Sequence, residues 1–149
     1  MKNIAVFLDR DGTINEEKNF ISKPEEVILI PKSANAIREL NKLGLKVFVI
    51  SNQSGIARGY FTEHDLHKVN ERLIRLLSEE NAYVDKIYYC PHVDEDNCHC
   101  RKPKPGMLQQ AEKEFLIDLK NSFVVGDRFL DVDAGKNAEA DRKSTRLNS

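Results

Sequence analysis

Residues Ile4-Ala5-Val6-Phe7-Leu8-Asp9-Arg10-Asp11-Gly12-Thr13 run from five consecutive apolar side chains into two carboxylates and a glycine. An unbroken apolar run, as opposed to an alternating one, marks a strand covered on both faces, as in parallel sheets lying between helix layers. Asp9 and Asp11 stand two apart where that strand ends, so their side chains are expected on the same side of the chain. Two carboxylates held in one mouth repel each other. A bound cation lets one stay ionised as a nucleophile while the other carries a proton as general acid and base. A lone Asp-x-Asp is more often a turn or a helix cap, but the full run through Gly12 and Thr13, directly after a buried strand, favours chemistry.

Three further runs repeat the apolar, β-branched pattern: Lys46-Val47-Phe48-Val49-Ile50, Lys86-Ile87-Tyr88-Tyr89 and Ser122-Phe123-Val124-Val125. Helical patterns separate them. Ser33 is expected to cap a helix carrying Ala34, Ile37 and Leu40, which Gly44 ends as an αL residue. Thr62 and Asp65 have capping-box spacing ahead of Leu66, Val69, Leu73 and Leu76. Pro105 opens a helix bearing Leu108, Ala111 and Phe115. Strands alternating with helices predict an α/β fold, a Rossmann-like parallel sheet flanked by helices. Ligands of such sheets bind beyond the carboxyl ends of the strands. All four ends carry polar, chemically capable residues: Asp9 to Thr13, Ser51-Asn52-Gln53-Ser54-Gly55, Cys90-Pro91-His92 and Gly126-Asp127.

Asp127 can supply a third oxygen ligand for Mg²⁺, a hard cation that takes oxygen donors. Phosphoryl transfer spreads negative charge over three oxygens, and hydroxyl and amide groups such as those of Ser51 and Asn52, with one ammonium, are the donors that stabilise it; Lys102 and Lys104, in a basic turn that could equally be a solvated one, both offer that ammonium. Cys90-x-His92 and Cys98-x-Cys100 form a Cys₃His set in two tight pairs, the count and types that close a structural Zn²⁺ site. An odd number of cysteines within eleven residues suits a metal better than a disulfide framework. His99 is expected to face away from that site, and His64 and His67 to be surface residues of a helix.

The chain has 149 residues, 40% of them apolar and 32% charged, with a formal net charge of −1. That is the size of one domain able to bury its own core, and it lacks the basic excess of a nucleic-acid binder. A small anionic partner is expected, with no nucleic acid, no membrane and no second subunit. The five apolar residues before Asp9 are neither a signal peptide nor a span, so a cytoplasmic location is expected. After Ala138 the sequence offers neither a strand nor an apolar helical face. Residues 1–140 are therefore expected to form the domain, cut short at its C-terminal end, with 141–149 a non-native or disordered tail.

Taken in order, Phe7 to Thr13, Ser51 to Gly59, Cys90-Pro91-His92, Cys98-x-Cys100-Arg101-Lys102-Pro103 and Gly126-Asp127 resemble the D-glycero-D-manno-heptose 1,7-bisphosphate phosphatases of the haloacid dehalogenase superfamily. The likeness runs from about residue 4 to residue 138. It implies a haloacid dehalogenase-like domain with a zinc-binding loop and no large cap domain. It makes Asp9 the nucleophile and Asp11 the general acid and base. Asp9, the Asp11 backbone carbonyl and Asp127 hold Mg²⁺, while Cys90, His92, Cys98 and Cys100 hold Zn²⁺. Ser51 bonds the phosphoryl oxygens and Lys102 neutralises them. Substrate contacts fall to Glu17, Lys18, Asn19, Phe20, Asn52, Gln53 and Ser54, with Arg101 and Arg128 able to pair with a second phosphate. Arg128 stands where the family often has Lys, and the stretch between the two zinc-ligand pairs is shorter than in the family.

The implied reaction is hydrolysis of the 7-phosphate of the heptose bisphosphate through an aspartyl-phosphate. Histidinol-phosphate phosphatases of the same superfamily share the Asp-x-Asp-Gly-Thr start and the zinc loop, and are the first alternative. Polynucleotide 3′-phosphatases share the first two motifs but want a basic groove and no zinc pairs. A non-catalytic zinc module would not need Asp9, Asp11, Asp127 and Lys102 together.

Overall fold

The computed structural model describes residues 2–144, and side chains through residue 140. Five parallel strands lie in the order β3-β2-β1-β4-β5: β1 (Ala5–Leu8), β2 (Lys46–Asn52), β3 (Lys86–Cys90), β4 (Phe123–Gly126) and β5 (Asp141–Ser144). The helices are α1 (Ser33–Lys42), α2 (Glu63–Glu79), α3 (Gly106–Phe115) and α4 (Phe129–Asn137).

Strand alternation builds two cores. Val6, Leu8, Val47 and Val49 face one side of the sheet, where Ala34 and Ile37 of α1 and Val69, Leu73 and Leu77 of α2 cover them. Ala5, Phe7, Phe48 and Ile50 face the other, under Met107, Leu108 and Ala111 of α3 and Ala134 of α4. Phe48 is fully buried and stacks on Phe7 with ring centroids 5.4 Å apart. Truncating such a residue to Ala costs about 3–5 kcal/mol.

The expected α/β sheet is present, with four local corrections. Ser33 does not cap α1: Lys32 precedes the helix with φ of 72°, and Ser33 is its first residue, donating its hydroxyl to the Ile14 carbonyl at 2.9 Å. The third run, β3, is an edge strand among the described residues, of which Tyr88 and Cys90 are buried but Lys86 is exposed. Pro105 is the cap residue before α3 and not its first residue. Asp141–Ser144 is a strand paired to β4, where the sequence promised none. The remaining tail residues, 145–149, lie outside the described residues. The Thr62 and Asp65 capping box forms in both directions, at 3.1 and 2.9 Å, and Gly44 takes φ of 80° after α1.

Between β1 and α1 the chain forms bridges from Asp11 to Asn15 and from Asn15 to Leu29 and a short 3₁₀ turn at Pro24–Glu26. Among the described residues there is no cap domain, so the carboxyl ends of the strands stay open. No described helix is long and apolar enough to cross a membrane.

Candidate active site

The alternation of β1 continues past its last residue and sorts the next two side chains. Asp9 follows Ala5 and Phe7 to the α3 and α4 side, where it meets Lys102, and Arg10 follows Val6 and Leu8 to the α2 side. Lys102 is 4% exposed, and its ammonium donates to Asp9 Oδ1 at 2.9 Å, Asp131 Oδ1 at 2.6 Å and the Ile50 carbonyl at 3.0 Å. Burial alone would lower its pKa, but Asp9 and Asp131 outweigh that and hold it above the usual lysine value.

Asp9, Asp127 and Asp131 bring carboxylate oxygens within 4.8 Å of one another. Three carboxylates against one ammonium leave a surplus of two negative charges in a poorly hydrated place, and a divalent cation cancels that surplus. Asp127 Oδ1 is buried with no hydrogen-bond partner, the condition of an oxygen meant for a metal. Gly12, at φ of 87°, lets Asp127 approach: a Cβ there would lie 2.5 Å from Asp127 Oδ2. Asp131 was not foreseen from the sequence. It sits in the first turn of α4, where an acidic residue ordinarily serves the helix dipole. Its position four residues after Asp127, in the first turn of the helix that follows the β4 end, is the signal that could have singled it out.

Burial, opposed by Lys102 and reinforced by Asp131, pushes the Asp9 carboxyl up to about 6 from its ordinary 3.8. A carboxyl raised in the fold contributes stability below its unfolded pKa, and that contribution is lost as pH rises through about 6. A cation that binds ionised Asp9 reverses the loss. Mg²⁺ should therefore raise the Tm more at about pH 7.5 than at about pH 5. A thermal-shift titration showing equal or larger Mg²⁺ stabilisation at the lower pH would contradict this electrostatic picture.

Asp11 lines the same cavity as Asp9. Its carboxylate accepts from Arg10 Nε at 3.0 Å and Nη2 at 3.1 Å, from Asn15 Nδ2 at 2.9 Å and from Gln53 Nε2 at 3.3 Å. Burial would raise its pKa, but Arg10 and these donors hold it below the ordinary carboxylate value. Gln53 also donates to the Ser51 hydroxyl oxygen at 2.5 Å, which leaves the Ser51 O–H free to donate. Asn52 is placed differently from a free phosphate donor. Its side-chain amide donates to the Lys102 carbonyl at 3.2 Å and accepts from the Lys102 N–H at 2.9 Å, clamping the lysine's backbone to the end of β2.

A small cavity of about 50 Å³ lies over Asp9, Asp11, Ser51, Asn52 and Lys102. Beside it opens one of about 260 Å³ whose walls include Glu17, Asn19, Phe20, Gln53, Ser54, Arg101 and Arg128. Lys18 is exposed and lines neither. Arg101 is paired with Asp94 at 2.7 Å, and Arg128 with Glu17 at 3.2 Å. The Asp94 side chain is 83% exposed and that of Glu17 40%, and pairs with so exposed a partner contribute about 0–1 kcal/mol, so an incoming anion can replace the carboxylates at little cost.

Cys90, His92, Cys98 and Cys100 bring their donor atoms within 4.8 Å of one another. His92 Nδ1 is 3.5 Å from the Cys90 sulfur and 3.4 Å from that of Cys100, and Cys98 is 3.5 and 3.7 Å from the same two sulfurs. The Cys90 and Cys100 sulfurs are also in direct contact, the arrangement of a disulfide. A disulfide would use two donors and leave the convergence of Cys98 and His92 without a cause, whereas one Zn²⁺ uses all four. His99 is exposed and outside this group, and His64 and His67 lie exposed on α2.

Residues 5–139 match the model of the haloacid dehalogenase-like hydrolases. The D-glycero-alpha-D-manno-heptose-1,7-bisphosphate 7-phosphatase of Campylobacter jejuni is 42% identical over 93% of this chain and 80% of its own length. The D-glycero-beta-D-manno-heptose-1,7-bisphosphate 7-phosphatase of Pasteurella multocida is 43% identical over 91% of this chain and 77% of its own. Among solved structures, the D,D-heptose 1,7-bisphosphate phosphatase of B. bronchiseptica, complexed with magnesium and phosphate, superposes with a TM-score of 0.88 at 37% identity, covering 95% of this chain and 79% of that one. The chain belongs to the haloacid dehalogenase-like hydrolases and is a phosphatase among them.

Proposed function

We propose that the protein removes the 7-phosphate of D-glycero-D-manno-heptose 1,7-bisphosphate through an aspartyl-phosphate on Asp9. The carrying observation is the pairing of two cavities: a small one over Asp9, Asp11, Ser51 and Lys102, and a larger one walled by two arginines whose carboxylate partners, Asp94 and Glu17, are exposed. Phosphoryl transfer suits the first, and the sugar with its second phosphate suits the second. The relatives whose names carry this activity support the reading.

In the first step an Asp9 oxygen attacks phosphorus while Asp11 gives its proton to the departing sugar oxygen. In the second, Asp11 takes a proton from water, whose oxygen attacks the aspartyl-phosphate and frees phosphate and Asp9. Asp11 is held ionised in the free protein, which suits the second step. The arriving phosphate opposes this by like-charge repulsion and so favours the proton needed for the first. Ser51 donates to a phosphoryl oxygen, and Lys102 supplies a fixed positive charge. Asp9, Asp127 and the Asp11 carbonyl would hold Mg²⁺, with Asp131 beside them; when bound, the ion neutralises charge on the transferring group.

Hydrogen bonds to charged groups contribute about 1.5–3 kcal/mol, so Arg101 should favour the bisphosphate over histidinol phosphate by roughly 10- to 200-fold in kcat/KM. Histidinol phosphate offers an ammonium and an imidazole there, which a guanidinium repels. Arg101→Ala should erase most of the preference and leave a simple monophosphate nearly unaffected. Equal slowing of all substrates, or wild-type hydrolysis of histidinol phosphate at least as fast, would remove the heptose reading.

Zn²⁺ on Cys90, His92, Cys98 and Cys100 would shape the loop that presents Arg101 and Lys102. Arg101 donates to the His92 carbonyl at 3.1 Å, and Lys104 to the Cys98 carbonyl. Cys98→Ser is expected to lower the Tm and raise KM, with a smaller effect on kcat. Protein purified without chelator that contains no stoichiometric zinc by elemental analysis would refute the site.

A further inference from the structure

Arg10 is among the largest fully buried side chains of the described residues, at 1% exposure, yet the chemistry above gives it no part. A buried guanidinium is costly unless its donors are paired. Two of them, Nε and Nη2, fork onto the two oxygens of Asp11 at 3.0 and 3.1 Å. A third, Nη1, donates to Asn70 Oδ1 at 2.8 Å. Asn70 is 8% exposed on the inner face of α2, in line with Leu66, Leu73 and Leu77, where an apolar residue would be the ordinary choice. It lines neither active-site cavity.

The geometry points to Arg10 as a positioning residue that fixes the orientation of the Asp11 carboxylate, with Asn70 anchoring it to α2. The inference rests on Asp11 serving as acid and base, and extends it to two residues that touch neither substrate nor metal. A flat guanidinium holding both oxygens removes rotation about the last bond of the Asp11 side chain, which one-point contacts from Asn15 and Gln53 cannot do alone. The outer anchor matters because a fork that can itself swing fixes nothing. The link runs from a polar residue buried under α2, through the side of the sheet opposite Asp9, into the proton-transfer group.

The test compares Asn70→Leu, Asn70→Asp, Arg10→Lys and Asp11→Asn on an alkyl phosphate and on p-nitrophenyl phosphate. Nitrophenolate leaves without a proton, so an Asp11 out of position spares phosphorylation of Asp9 by that ester but slows the attack of water. Asn70→Leu and Arg10→Lys are expected to lower kcat on the alkyl ester about 10- to 100-fold at little change in KM. On the nitrophenyl ester they should give a rapid burst of nitrophenolate close to the enzyme concentration, followed by slow turnover. Asn70→Asp keeps an acceptor for Arg10 and should behave nearly as wild type.

Melting curves recorded alongside separate misfolding from misplacement, and Asn70→Ser replaces Asn70→Leu if that variant does not fold. Equal losses on both esters without a burst would mean a general structural role and overturn the inference. If Asp11→Asn is inactive while the Arg10 and Asn70 variants match wild type, the positioning role alone fails. If Asp11→Asn is fully active, the reading of Asp11 fails and this inference with it.

Discussion

Asp9→Asn is expected to lower kcat by about four powers of ten or more, because an amide can neither attack phosphorus nor bring a charged oxygen to Mg²⁺. Loss of fold is not the cause the structure suggests. Burial already pushes the Asp9 carboxyl up to about 6, so a neutral side chain suits the metal-free fold. Asn can still accept the Lys102 hydrogen bond. The variant should therefore melt at or above the wild-type temperature without Mg²⁺ near neutral pH, and gain less from adding it. Steady-state assay and melting curves on one preparation check both halves. Activity within about tenfold of wild type would sink the covalent mechanism.

Lys102→Met should have the next largest effect, for two separable reasons. The ammonium is the positive side chain that reaches Asp9, and removing one such electrostatic stabiliser costs about 10²–10³-fold in kcat. Its loss also leaves Asp9 and Asp131 buried without their cation. Breaking one side of a buried ion pair costs about 3–5 kcal/mol, so the metal-free variant should melt well below wild type. Mg²⁺ should restore part of that stability but not the rate. Lys102→Arg is not expected to rescue, since one tetrahedral nitrogen now serves Asp9, Asp131 and the Ile50 carbonyl together and a planar guanidinium cannot. A Lys102→Met protein with unchanged melting in the absence of metal would contradict the described pairing.

The parts of the fold legible in the sequence were those written locally. Ile4 to Leu8 and Lys46 to Ile50 betray strands covered on both faces because burial leaves no room for alternation. Thr62 and Asp65 betray a helix start because the box closes within one turn. Asp141–Ser144 could not be read this way: a polar edge strand carries no apolar signal, and its partner, β4, supplies the order. Ser33 was misplaced for a related reason, since its hydroxyl is taken by the distant Ile14 carbonyl.

The site divides along the same line. Asp9, Asp11 and Asp127 stand at strand ends, where topology alone predicts ligands, and the structure brings Asp9 and Asp127 into one cluster and Asp11 to its cavity. Asp131 was hidden by its helical position, where an acidic residue has an ordinary explanation. The anchor of Arg10 on Asn70 and the clamp of Asn52 on Lys102 join residues 60 and 50 positions apart, pairings that only the folded sheet discloses.

The central claim is that the 7-phosphoryl group of a heptose bisphosphate passes through Asp9. Rapid quenching of wild-type turnover with D-glycero-D-manno-heptose 1,7-bisphosphate radiolabelled at the 7-phosphate tests it directly, because Asp11→Asn would slow formation of the phosphoenzyme from this sugar ester as well as its hydrolysis. The account predicts label on the enzyme within the first turnover, mapped to Asp9, with heptose 1-phosphate as the product. Label drawn from the 1-phosphate, label on another residue, or hydrolysis with no labelled enzyme at any time would contradict it.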